Sequence, residues 1–178
     1  MKRKRLIIVL LLLIGLTGCA LGSSPKSRVE NLLNKYQMNA SDVKSELDDF
    51  LNTLSIDADY KEDYRKVYEK QYSDLKYKIK DETIDGDKAT VKAEIEVYDY
   101  YKAENDASSY IAANPNEFNE DGVYSVKKGL EYKIKQYTNS SDRVTYTIDF
   151  TLTKNNNKWT IDPLTDDELA KLHGTYAH

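Results

Sequence analysis

From Val29 to Leu54 the apolar residues fall three and four apart: Val29, Leu32, Leu33 and Tyr36, then Val43, Leu47, Phe50, Leu51 and Leu54. That spacing gathers them on one face and predicts two amphipathic helices. Tyr64, Val67, Tyr68 and Tyr72 continue the pattern and predict a third helix from about Tyr60 to Leu75. Asp59 and Glu62, three residues apart, have the spacing of a capping box at its start. The period then drops to two. Tyr77, Ile79 and Asp81 lead into an Asp85-Gly86 turn, after which Ala89, Val91, Ala93, Ile95 and Val97 alternate with Lys, Thr and Glu. This predicts a β-hairpin with one wet face.

Helical spacing returns over Lys102 to Ala113 and should stop before Pro115, because proline disfavours helical geometry at the residue before it. After the loop NPNEFNEDG, Val126, Leu130, Ile134 and Tyr137 suggest another helix, although Tyr132 and Ile134 also fit a strand. The clearest strand follows, with Val144, Tyr146, Ile148, Phe150 and Leu152 on one face and Arg143, Thr145, Thr147, Asp149, Thr151 and Thr153 on the other. Asn155 to Asn157 form a turn, and Lys158 to Asp162 pair back antiparallel. Thr165 and Glu168 make a capping box for a last short helix that Gly174 can end. Helices, hairpin, helices and a second hairpin give an α+β fold with segregated layers.

The residues before Val29 change the picture. Met1 to Arg5 carry four positive charges, Leu6 to Leu16 are uncharged, and small residues follow. This is the layout of an export signal, and the apolar run is too short to span a bilayer as a helix. It ends in Leu16-Thr17-Gly18-Cys19, which resembles the lipobox of bacterial lipoproteins. The resemblance implies that residues 1–18 are a signal peptide, that a diacylglycerol is attached to the sulfur of Cys19, and that Cys19 becomes the mature N-terminus. Acyl chains then hold the protein to membrane lipid, with residues 19–27 as a lipidated tether and residues 28–178 as a single domain on the extracytoplasmic side. Two acyl chains give the stable anchoring that one does not.

Cys19 is the only cysteine, so there is no disulfide framework and no cysteine-based metal site. Without residues 1–18 the formal charge moves from −4 to −8, with 22 Lys and Arg against 30 Asp and Glu. A domain this acidic has no bulk attraction for nucleic acid. The element order, together with TYTIDFTLTKNNNKWTIDPLTDDELAKL, resembles the NTF2-like and cystatin-like domains of small lipoproteins. That resemblance implies an antiparallel sheet wrapped around the N-terminal helices. NTF2-like enzymes commonly place a His and an Asp inside the cone of the sheet, and nothing in these strands matches that pair.

Candidate chemistry is thin. The two histidines, His173 and His178, both lie near the C-terminal end. His178 reads as a free end, and His173 reads as a cation favourably placed at the end of a helix dipole. The aspartates lack EF-hand spacing, and no glycine-rich phosphate loop, nucleophile elbow or HExxH motif is present, so no cofactor is expected. Asp149 interrupts a threonine-rich face and is either a base in a cleft or a solvated partner of a nearby cation. Tyrosine is the outlier, with fifteen against three Phe and one Trp. Tyr60, Tyr64, Tyr68 and Tyr72 form a helical stripe that reads as core. Tyr98, Tyr100 and Tyr101 cluster where a strand meets a helix, and tyrosines in such a place suit ligand or partner contact. The expected function is a non-catalytic binding module on the outer face of the cell membrane, with a cell-surface protein or the cell wall as partner. The competing expectation is a cavity enzyme or small-ligand binder using Asp149 and tyrosines.

Overall fold

A computed structural model describes residues 24–178. The signal segment 1–18 and the lipidation residue Cys19 lie outside the described residues. Ser24 caps the first helix, α1 (Pro25–Gln37), by accepting from the Ser27 amide, with proline at the first helical position. Pro25 to Ser27, assigned to the tether on sequence, are therefore helical, and Pro25 is buried. The apolar stripes of α1 and of α2 (Ser41–Thr53) bury Val29, Leu33 and Tyr36, and Val43, Leu47 and Leu51. In α3 (Ala58–Ser73), Val67, Tyr68 and Tyr72 turn inward, as expected for a core stripe. The expected Asp59–Glu62 capping box does not form. The N-cap is Asp57, whose side chain makes no capping bond, and Glu62 instead pairs with Arg65 one turn on.

β1 (Lys76–Asp85) and β2 (Lys88–Tyr98) form the expected hairpin through Gly86, which sits at positive φ. A bulge at Lys80 breaks the register of β1, and nearly all of this edge strand is exposed. Bulges and lysines on an edge discourage pairing with another chain. β5 (Arg143–Asn155) pairs with the whole of β2 through its residues Arg143 to Thr153, and β6 (Lys158–Ile161) completes the order β1-β2-β5-β6, all antiparallel. Asn156 and Asn157 both adopt positive φ in the two-residue turn between β5 and β6, the geometry that matches strand twist.

One face of the sheet is packed solid. Val91 lies opposite Phe150, Ala93 opposite Ile148 and Ile95 opposite Tyr146, and all six are buried under α1, α3 and α7. The other face is wet: Thr90 lies opposite Thr151, Lys92 opposite Asp149 and Glu94 opposite Thr147.

Between the two hairpins the chain forms α4 (Tyr100–Ala113), a single turn α5 (Pro115–Phe118), a two-residue hairpin of β3 (Asn119–Glu120) and β4 (Val123–Tyr124), and α6 (Val126–Asn139). The alternative strand over Tyr132 to Ile134 is not adopted, because Leu130, Ile134 and Tyr137 lie on one helical face of α6, which packs on α3 and α4, whereas Val126, expected on the same face, is exposed at the start of the helix. Gly129 of α6 lies against the ring of Tyr124: a Cβ there would lie 1.9 Å from the Tyr124 hydroxyl and would make that half-exposed side chain swing aside. Finally α7 (Asp166–His173) begins at the expected Thr165–Glu168 capping box and ends at Gly174 in the left-handed region. The described residues thus form an α+β fold of seven helices on a four-stranded antiparallel sheet. Among the described residues no helix is long and apolar enough to cross a membrane.

Candidate functional site

Asp149 does not point to the packed face of the sheet. Alternation puts it on the wet face, where its carboxylate lies 3.8 Å from Lys92 and is more than half exposed. The solvated reading of Asp149 holds, and the expectation of a cleft base is corrected.

The tyrosine cluster also resolves differently from the expectation of a shared contact surface. β2 ends at Tyr98, Asp99 caps α4 by accepting from the Lys102 amide at 2.8 Å, and the switch from period two to helical spacing turns Tyr100 inward. Tyr100 is 1% exposed and donates to the Val67 carbonyl at 3.2 Å. Tyr98 is half-buried, stacked on Tyr100 and covered by Arg143 and Lys70, with its hydroxyl on Asp74. Tyr101 is half-buried on another side, beside His178. The three rings share a sequence neighbourhood, not a surface.

Both histidines depart from expectation. His178 does not hang free: its Nε2 lies 3.3 Å from the buried Asp99 carboxylate and its Nδ1 is 3.3 Å from the Tyr146 hydroxyl. His173 is not a cation at a helix end. Its ring packs against Phe50, Tyr68 and Tyr72 at 5.1, 4.9 and 5.9 Å between centroids, and burial pushes its pKa down to about 4. Removing a ring from water disfavours its charged form, so the imidazole is neutral near pH 7.

His173 forms the end wall of a pocket of about 410 Å³ that the sequence reading did not anticipate. α1 contributes Leu32 and Tyr36, α2 contributes Val43, Glu46, Leu47 and Phe50, and α3 contributes Tyr72. The segment from Ile161 to Leu164, with Leu169 of α7, closes the opposite side. That side of the pocket is the segment that links the end of β6 at Ile161 to the start of α7 at Asp166. Its size and mostly apolar lining match those of ordinary small-molecule sites.

The ionisation states of the lining follow from burial. Tyr36 and Tyr72 meet edge to face at 5.0 Å, and desolvation holds both hydroxyls well above the ordinary tyrosine range, so they remain neutral donors. Glu46 stands at the mouth beside Tyr36. Desolvation raises its carboxyl above the usual value, with a further push from Asp42. Asp162 is held by the Thr153 hydroxyl at 2.7 Å. A signal for this site was present in the sequence: Glu46 falls between Val43 and Phe50 at helical spacing, an acid on the edge of an apolar stripe.

Beyond Leu32 and Ile161 an open groove is lined by Arg28, Lys35, Lys158 and Trp159. Among the described residues no group of three or more His, Cys, Asp or Glu could hold a metal ion.

No family model and no curated protein matches the chain. Among solved structures it is similar to the candidate lipoprotein YcdA of Bacillus subtilis, with 17% identity over 83% of this chain and a TM-score of 0.45. The chain spans 46% of the length of that neighbour.

Proposed function

We propose that this chain is a lipid-anchored, extracytoplasmic binding module that takes a small, largely apolar ligand in the pocket between α1, α2 and α7 and performs no chemistry on it. The observation that carries the reading is the pocket itself: a half-open volume of about 410 Å³ walled by Leu32, Phe50, Leu169 and two neutral tyrosines. The binding role is favoured over a catalytic one because the polar groups that reach the pocket do not converge as nucleophile, base and orienting partner, the arrangement acid-base or acyl-transfer chemistry uses. Asp149, the base of the competing enzyme reading, is on the opposite face of the sheet beside Lys92.

The anchor rests on Leu16-Thr17-Gly18-Cys19, with acylated Cys19 held in membrane lipid. The five residue steps from Cys19 to Ser24 span at most about 18 Å, so the start of α1 is kept close to the membrane surface, where the module meets its ligand, a cell-surface protein or the cell wall. The order of the helices and the antiparallel sheet are compatible with the NTF2-like and cystatin-like resemblance.

Two measurements test the two halves. Cys19→Ser should move the protein out of the detergent phase in a partitioning experiment, and mass spectrometry of the wild type should find a diacylglycerol on residue 19. A mature end elsewhere defeats the anchor. For the ligand, methyl shifts of Val43, Leu47 and Leu169 in the full chain should respond together to apolar fragments, and Leu169→Trp should abolish the response by filling the space. Fragments that move methyls elsewhere and leave these three unchanged refute the site.

A further inference from the structure

The pocket combines an apolar body with formal charge of one sign only. Of its titratable lining groups, Tyr36 and Tyr72 are neutral donors and His173 is a neutral ring, which leaves the carboxylates of Glu46 and Asp162 as the charges. Among the described residues no Lys or Arg lines it. The nearest cation to Glu46, Lys35, has its ammonium on Asp42. Each acid has a hydroxyl partner, Tyr36 for Glu46 and Thr153 for Asp162, but among the described residues neither makes an ion pair, and Glu46 is the one that desolvation raises. A carboxylate that loses part of its hydration without gaining a cation is a site of unmet electrostatic demand, and aromatic faces beside it add attraction for a positive charge.

Resting on the pocket reading above, we infer that the pocket selects organic cations, a protonated amine carried on a compact apolar or aromatic body, with the body between Leu47, Phe50 and Leu169 and the ammonium at Glu46. The same wall disfavours fatty acids and other apolar anions, which would bring a second negative charge to Glu46 and Asp162 with no base to receive it.

A matched series tests this with the full chain in non-ionic detergent, by calorimetric titration at pH 7 and low salt: 2-phenylethylamine, 2-phenylethanol and 3-phenylpropionate. All three offer the same ring and differ in charge at the mouth. The amine should bind at least about fivefold more tightly than the alcohol, the scale of one partly exposed ion pair, and the propionate should bind weakest. Glu46→Gln, at an exposed helix position where folding is not at stake, should bring the amine down to the level of the alcohol and leave the alcohol unchanged. Equal binding of amine and alcohol, or an amine preference that survives Glu46→Gln, overturns the cation inference. If alcohol and amine then bind equally and both are lost in Leu169→Trp, the pocket still stands as a ligand site. If none of the three binds, the pocket reading falls with the inference.

Discussion

Gln71 is a fully buried carboxamide in a helix otherwise buried through Val67, Tyr68 and Tyr72, and its removal should cost more than any single surface contact. Its Oε1 accepts from the Tyr98 amide at 2.7 Å, and its Nε2 donates to the Tyr98 carbonyl at 3.0 Å and the His173 carbonyl at 2.9 Å. One side chain thus ties α3 to the end of β2 and to the end of α7, the points from which Tyr98 and the His173 wall of the pocket are positioned. Gln71→Leu keeps the volume and strands an amide and two carbonyls away from water. A buried polar group left without a partner costs about 1–3 kcal/mol, and the carbonyls retain some compensation, so a loss of about 3–4 kcal/mol is expected. With a urea slope near 2 kcal/mol per molar, the midpoint should fall by about 1.5–2 M. Gln71→Met, an unbranched apolar match, should fall by a similar amount, because the loss is in hydrogen bonds and not in packing. A midpoint within about 0.3 M of wild type for both variants would refute the clasp and leave the position of His173 to packing alone.

Three other perturbations follow from the same geometry. Gly174→Ala should destabilise severely, since a Cβ would lie 2.1 Å from the Tyr98 carbonyl oxygen and 2.3 Å from Gln71 Nε2 at a backbone φ of +72°; a thermal melt unchanged within a degree or two would contradict this. Phe150→Ala, fully buried against Val91, should cost about 3–5 kcal/mol, whereas Thr151→Ala on the wet face should be nearly silent; urea midpoints in the reverse order would put the register of β5 off by one. His173 is held neutral by burial with a pKa of about 4, below its unfolded value, so the unfolded chain binds the proton first as pH falls. Its contribution is unchanged above about pH 6.5 and is lost progressively between 6.5 and 4, by up to about 3 kcal/mol. His173→Phe should flatten that part of the stability profile, and a parallel profile for the two proteins would mean that the ring is hydrated.

Elements whose residues keep one period over many positions were legible from sequence. The stripes of α1 and α2, the strict alternation of β2 and β5, and the capping box at Thr165 and Glu168 each follow from a local rule that tertiary contacts reinforce. Sequence reading failed where the period changes or where a polar residue is satisfied by a distant backbone. Tyr98 to Tyr101 straddle the end of β2 and the start of α4, so neither period assigns their faces. Gln71 carries no mark of burial, because its partners lie 27 and 102 residues away. Asp59 and Glu62 had the spacing of a cap without its position, since α3 starts two residues earlier than the tyrosine stripe suggested. The pocket was hidden for a related reason. It is a gap left where β6 ends, and only Glu46, on the edge of an apolar stripe, hinted at it.

The ligand site is tested most directly by native mass spectrometry of the protein extracted from cells in mild detergent, compared with Leu169→Trp prepared in parallel. The wild type should carry a small apolar molecule, released as a cation, and Leu169→Trp should carry none. A wild type with no such molecule, or one that stays bound when Leu169→Trp fills the pocket, would contradict a ligand site between α1, α2 and α7.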